Sequence, residues 1–315
     1  MKILVHDNCS GKFSQCLMDH WKEKGHEVLF EHGANPLLGA ECDLVYIDWL
    51  DSNFYCYFNG PGGDNNATDW KSYPKSKIVV RGIDIDIWMG RHRDPRIWDY
   101  MDAFIVLNQK LYDKVVSEGN PPEGKVHIIK PGVDLEKFTL RKEKPWGYNV
   151  CMVTGDFWEM KAANEGYRIF DMLVRKDPMI PWKLHVRGQY NCRDMEITMK
   201  EHVIDSMGIR DRITVYPAGQ DMNQWLEDMD FILVPSYKEA FSYATAEAMA
   251  KGIKPILNNW WGAEDIWPRE YIYSHLDEAV RMFFGPREPE NYRGYVQQHY
   301  DLKRMLAEYD VLLGT

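Results

Sequence analysis

Two successive series of short apolar runs, each separated from the next by a helical or loop stretch, constrain this chain more than any other feature. The first series is KILVH at 2–6, EVLF at 27–30, DLVYI at 43–47, KIVV at 77–80, AFIVL at 103–107 and VHII at 126–129. Brief, nearly continuous apolar runs suit strands of a parallel sheet covered on both faces. Between the first two runs, Phe13, Cys16, Leu17 and Trp21 recur at helical spacing and Gly25 stops them, which predicts a β-α-β opening. The stretch 51–73, rich in Asn, Gly, Asp and aromatics, reads as a long irregular connection.

The pattern then restarts. NVCMVTG at 149–155, KLHVRG at 183–188, ITVYPAG at 213–219, FILVPS at 231–236 and PILNN at 255–259 read as strands. Helices are expected near 162–175, 195–207 and 244–251. The charged, Pro- and Gly-containing run LRKEKPWGY at 140–148 reads as the linker, placing an N-terminal domain at 1–143 and a C-terminal domain at 144–294. Tyr300, Leu302, Met305, Leu306, Tyr309 and Leu312 predict one packed helix over 295–315, with a return to the first domain left open. Two β/α domains of this kind create a crevice at the carboxyl ends of their strands, where such folds bind ligands.

Composition narrows the function classes. A length of 315 residues with 45% hydrophobic and 27% charged residues excludes bulk disorder. A net charge of −10 opposes long-range attraction to a polyanion, without excluding a local basic patch. Six cysteines, with no C-x-x-C pair, read as reduced thiols of a cytoplasmic protein. The opening segment lacks a signal-peptide core, and no window carries the roughly 18 apolar residues a spanning helix needs. Membrane contact, if made, is therefore expected to be peripheral, at the inner face of a membrane.

The densest chemical signal is PSYKEAFSYATAEAMAKGIKPILNNWWG at 235–262. A strand delivers Ser236 to the sheet edge, a polar turn holds Glu239, and a helix follows with Glu247 expected in its first turn. One carboxylate can take sugar hydroxyls and the other ribose hydroxyls, while the N–H groups near Phe241, Ser242, Tyr243 and Ala244 can face a phosphate. The plain alternative makes Glu247 a helix-dipole partner and Glu239 a solvated loop acid.

This segment resembles the glutamate, seven residues, glutamate motif of retaining GT-B glycosyltransferases of family 4, the group 1 glycosyl transferases. Pro235, Ser236, Glu239, Phe241, Glu247, Ala248, Met249, Ala250, Gly252 and Pro255 stand in the matching places, with Ala240 and Ser242 replacing two frequent glycines. Gly132, Val133, Asp134 and Phe138 resemble the interdomain signature of that family. The resemblance implies two Rossmann-like domains facing across a donor-binding cleft, the first binding the acceptor and the second the sugar nucleotide. It implies Lys161 on the donor diphosphate, Glu239 on the sugar and Glu247 on the ribose. Asp156 stands where the family often has arginine, and Arg187 is expected to substitute. Gly219 would mark the approach to the base or ribose. Ser10 and Gly11, with Lys12, resemble the donor-facing loop of the first domain. The family's first-domain histidine has no counterpart; Arg81 or an aspartate is expected to contact the sugar instead.

The implied reaction transfers a hexose from a nucleoside-diphosphate sugar, a UDP-sugar ahead of a GDP-sugar, to an unidentified hydroxyl acceptor, with no cofactor and no metal. Asp84 and Asp86 form a D-x-D pattern that a divalent ion could use, but the pattern is short and common. Lys71, Lys75, Lys77, Arg81, Arg91, Arg93 and Arg96 interleave with Trp70, Trp88 and Trp98, so a phosphate-bearing or DNA acceptor stays open beside a merely solvated face. Two alternatives also stand: a sugar-nucleotide-binding protein without turnover, and a glucosyltransferase acting on hydroxymethylated DNA bases.

Overall fold

The computed structural model describes residues 1–7, 14–33, 36–50, 54, 76–142, 146–155, 159–188, 203–217, 219 and 221–315. The expected loop residues Ser10, Gly11 and Lys12, Asp156, the basic-aromatic residues Trp70, Lys71 and Lys75, the connection 51–73 apart from Phe54, and most of the helix expected over 195–207 lie outside the described residues.

The chain divides into two compact units, one of residues 1–131 and 303–315, the other of residues 132–302. Unit 1 contains strands β1 (Lys2–Asp7), β2 (Glu27–Glu31), β3 (Leu44–Asp48), β4 (Lys77–Arg81), β5 (Ala103–Val106) and β6 (Val126–Ile128). They form one parallel sheet in the order β2-β1-β3-β4-β5-β6. Strands β3 and β5 are buried along their whole length, as covered parallel strands must be. Helix α1 (Gln15–Glu23) follows β1 and buries Leu17, Met18 and Trp21, and α2 (Gln109–Gly119) follows β5 with Asn108 capping it through Leu111 N at 2.9 Å.

Unit 2 contains β7 (Asn149–Gly155), β8 (Lys183–Gly188), β9 (Ile213–Tyr216), β10 (Phe231–Val234), β11 (Lys254–Asn258) and β12 (Ile272–Tyr273). Its sheet is also parallel, in the order β12-β11-β10-β7-β8-β9. Counted from the first strand of the unit this is 6-5-4-1-2-3, the Rossmann order. Helices α3 (Ala163–Lys176), α4 (Tyr243–Ala250) and α5 (Pro289–His299) cover it. Around α4 the core is apolar nearly all round, with Thr245, Ala246, Ala248, Met249 and Ala250 all buried.

Two expectations change at the ends of the units. The run 140–148 was expected to link the domains, but the chain passes into unit 2 already at Gly132. Val133 and Phe138 join its core, Asp134 Oδ1 accepts from the backbone N–H groups of Glu136 and Lys137 at 2.9 and 3.0 Å, and Arg141 donates to the Met229 and Lys251 carbonyls. The single helix expected over 295–315 is two, α5 and then α6 (Leu302–Leu313). The break at Tyr300 and Asp301 arises because that backbone pairs with Val133: Val133 N donates to Tyr300 O at 2.8 Å and Leu302 N to Val133 O at 3.1 Å.

Helix α6 packs into unit 1. Tyr309 is buried, its hydroxyl 3.2 Å from that of Tyr46, and its ring meets Tyr46 edge-on at 6.0 Å, as Trp21 does at 5.7 Å. Asp310 pairs with His20 at 3.0 Å and Lys24 at 2.9 Å. Tyr309→Ala should therefore destabilise unit 1 by about 3–5 kcal/mol, the usual loss for a buried aromatic. Hydrogen exchange of β1 and β3 checks this; unchanged protection there would show that α6 is dispensable to that core. Among the described residues no helix is long and apolar enough to cross a membrane.

Candidate functional site

In unit 2 the strand order reverses between β7 and β10, and open α/β sheets bind ligands beyond the carboxyl ends of such a pair. The connection leaving β7 ends in a 3-10 turn at Glu159–Lys161 and enters α3. The connection leaving β10 runs from Pro235 to Ser242 and enters α4. The backbone joins them, Tyr237 N donating to Met160 O at 2.9 Å. Lys161 Nζ donates to Glu239 Oε1 at 2.6 Å, and Ser236 Oγ donates to the same oxygen at 2.8 Å. Asn258, at the end of β11, holds the far side of the turn by donating to the Pro235 and Ser236 carbonyls at 3.2 and 3.1 Å. Residues 78 positions apart in sequence thus meet at one oxygen. The Glu239 side chain is 11% exposed and that of Lys161 35%.

Both helix starts at this edge are strained. Ala162 (φ +48°) and Ser242 (φ +71°) occupy left-handed backbone, and neither caps its helix with a side chain. Side chains avoid this region, and residues held there cluster at functional sites. The Ser242 place is one where the resembled family often has glycine, which removes that strain. Ser242 Oγ instead bonds Thr245 Oγ1 at 2.8 Å. Close approach is also built in at Gly166: a Cβ there would meet Met152 Sδ at 2.3 Å and Pro235 Cγ at 3.2 Å.

The remaining residues expected in this half take distinct places. Phe241 is core, stacked on Trp267 at 5.5 Å and edge-on to Tyr300 at 4.8 Å, and Tyr243 meets it edge-on at 5.2 Å. Phe241 is buried, whereas Tyr243 and Ala244 are half-exposed at the start of α4. Glu247 was expected in the first turn of that helix. The helix begins at Tyr243 and carries no acid in its first turn, so Glu247 falls in the second. A helix-dipole partnership is correspondingly weak there, since the effect fades beyond the first turn. Arg187, next to last in β8, has its guanidinium 5.7 Å from the centre of the Trp225 ring and Nη1 2.8 Å from Met222 Sδ. Burial lowers its pKa, opposed by the charges of Glu247 and Asp221. Gly219 lies in the connection after β9 with φ +107°, and nothing stands within 4 Å of its missing Cβ.

In unit 1 the corresponding reversal lies between β1 and β3. Their last residues, Asp7 and Asp48, are fully buried, and Ser14 Oγ lies 3.1 and 3.0 Å from one carboxylate oxygen of each. Arg81, at the end of β4, uses Nε and Nη2 on the two oxygens of Asp48 at 2.6 and 2.5 Å and is 4% exposed. A sugar contact was expected of Arg81; the geometry gives it a bidentate carboxylate partner inside the unit. Asp7, Ser14 and Asp48 were not anticipated, because single polar residues ending apolar runs carry no distinctive pattern.

The described cations of the basic-aromatic run are likewise engaged. Arg91 pairs with Asp86, Arg93 with Glu118 and Arg96 with Asp94, at 2.6 to 2.8 Å, and Lys77 donates to the Leu312 carbonyl. Asp86 of the D-x-D pattern also accepts from the Leu50 and Ile83 N–H groups, so that carboxylate holds a turn. Among the described residues no group of three or more His, Cys, Asp or Glu is placed to hold a metal ion.

Residues 148–271 match the family model for glycosyl transferases group 1. The chain is 24% identical over 181 residues to a D-inositol 3-phosphate glycosyltransferase of Paenarthrobacter aurescens, covering 54% of this chain and 43% of that relative. Less than half the length of that relative is therefore spanned. A glycosyltransferase from Rickettsia africae superposes with a TM-score of 0.75 at 13% identity, over 99% of this chain and 97% of the other. Anabaena HepE in complex with UDP does so with a TM-score of 0.74 at 13% identity over the whole of both chains. The fold is GT-B-like, built of two Rossmann-like α/β units.

Proposed function

We propose that the protein is a retaining glycosyltransferase that moves a hexose from a nucleoside-diphosphate sugar to a hydroxyl acceptor, with unit 1 holding the acceptor and no metal required. The observation that carries this reading is the Lys161–Glu239 pair at the strand reversal of unit 2, inside the segment that matches the family model. A UDP-sugar is the favoured donor, in keeping with the UDP held by a protein of similar fold.

In the reaction the bond from the sugar's anomeric carbon to the diphosphate breaks and a bond to the acceptor oxygen forms on the same face. The acceptor proton passes to the departing phosphate. Negative charge grows on the diphosphate, where Lys161 and the positive end of α4 meet it already oriented. Glu239 and Ser236 orient the sugar through its hydroxyls. Glu247, with Arg187 on the same side, takes the ribose.

Lys161→Ala should weaken UDP binding by about 10- to 100-fold, the range for one charged hydrogen bond to phosphate; calorimetry measures it. The reading itself is tested by incubating the protein with a panel of sugar nucleotides and candidate acceptors, with divalent metal and then with chelator, and analysing products by mass. Turnover of one donor that survives chelation supports it. Donor binding without transfer or hydrolysis would replace it with a non-catalytic binding protein.

A further inference from the structure

We infer that Glu239 acts as a displaceable counter-ion for Lys161, and that this makes the site prefer an intact sugar nucleotide over the free nucleoside diphosphate left after transfer. The inference rests on the donor site proposed above and adds a selectivity that the site's chemistry imposes.

Lys161 and Glu239 cannot both keep their present partner and serve a donor. Glu239 Oε1 takes two hydrogen bonds, from Lys161 at 2.6 Å and Ser236 at 2.8 Å, and its side chain is 11% exposed. A diphosphate that draws Lys161 away leaves this largely buried carboxylate with Ser236 alone. Removing a cation from a desolvated carboxylate is costly unless new donors arrive. A sugar nucleotide brings them, because the hydroxyls of its hexose can donate to the oxygen that Lys161 vacates. A nucleoside diphosphate brings none. Its terminal phosphate also carries an oxygen that ionises near neutral pH, adding negative charge at the sugar end of the site. Asn258 and the Tyr237–Met160 backbone bond hold the turn on both sides, so Glu239 does not escape the conflict by moving with its loop. The exchange therefore favours binding before transfer and release after it.

The test is a double-mutant cycle read by calorimetry with UDP and GDP as probes, on the wild-type chain, Glu239→Gln, Lys161→Ala and the double variant, with hydrogen exchange of β7 to β11 as the folding control. Glutamine keeps an acceptor for Ser236 but does not hold the lysine by charge. Glu239→Gln is expected to bind the tighter probe about 3- to 10-fold more tightly than wild type, the scale of one partly exposed ion pair. That gain should shrink below about 2-fold when Lys161 is also replaced, as expected of residues in one network. In transfer assays the Glu239→Gln variant should be inhibited by correspondingly lower UDP. If Lys161→Ala weakens binding while Glu239→Gln leaves it unchanged or weaker, the counter-ion role is overturned and the donor site stands. If neither substitution changes binding, the donor site is overturned as well.

Discussion

Asp48→Ala is expected to lower the stability of unit 1 by about 3–5 kcal/mol, the range for breaking a buried ion pair by removing one partner. Asp48 is fully buried and gives both carboxylate oxygens to Arg81, which is itself 4% exposed. The substitution leaves the guanidinium desolvated without its anion, and it takes an acceptor from Ser14, which sits within hydrogen-bonding distance of Asp7 and Asp48 together. Three strands end at this cluster, so the loss should be shared by β1, β3 and β4. Because two units can unfold separately, a single denaturation midpoint is a poor measure. Site-resolved hydrogen exchange is the suitable one: protection should fall in β1, β3 and β4 while β7 to β11 hold theirs. Equal protection in both sheets would mean that the pair contributes little and that Arg81 is available for another partner.

Glu239→Gln should reduce kcat/KM for sugar transfer by about 100- to 1,000-fold, the scale found when one oriented polar group is removed from a transition state. Glutamine is isosteric and keeps an oxygen for Ser236, so the fold should survive. What it loses is the charge that accepts strongly from sugar hydroxyls as positive charge develops on the ring. Steady-state transfer with the donor identified by product analysis measures the effect. A residual rate above about one-tenth of wild type would show that Glu239 serves only the turn. The same substitution is expected to tighten UDP binding, so activity and affinity should move in opposite directions, which mere disruption of the site would not produce.

The sheets were legible in the sequence because a strand covered on both faces is a continuous apolar run, as in LVYID and FILV. β12 escaped because a strand of two residues, Ile272 and Tyr273, leaves no pattern. The break between α5 and α6 escaped for the opposite reason: Tyr300 is buried like Val296 before it and Met305 after it, so the apolar spacing continues across the break, where the backbone pairs with the distant Val133. The entry into unit 2 was misplaced because charge and proline at 140–148 suggested a solvated linker, whereas Arg141 is tied to carbonyls of that unit. For the site, the motif around Glu239 and Glu247 named the acids without their geometry. The meeting of Lys161 with Glu239, the occupation of Arg81 by Asp48 and the burial of Phe241 each depend on strand order, which no local spacing reports.

The placement of α6 sets an order of assembly. Unit 1 is interrupted in the chain, its sheet made from residues 1–131 and its last helix from 303–315, while unit 2 is continuous. During synthesis residues 1–131 must wait for residues 303–315, which follow the whole of unit 2, since Tyr46, His20 and Lys77 meet Tyr309, Asp310 and Leu312 there. Domains made in sequence ordinarily fold from the N-terminus onward. Here the later-made unit has all of its residues once Leu302 is made, so it can close before unit 1 receives its last helix.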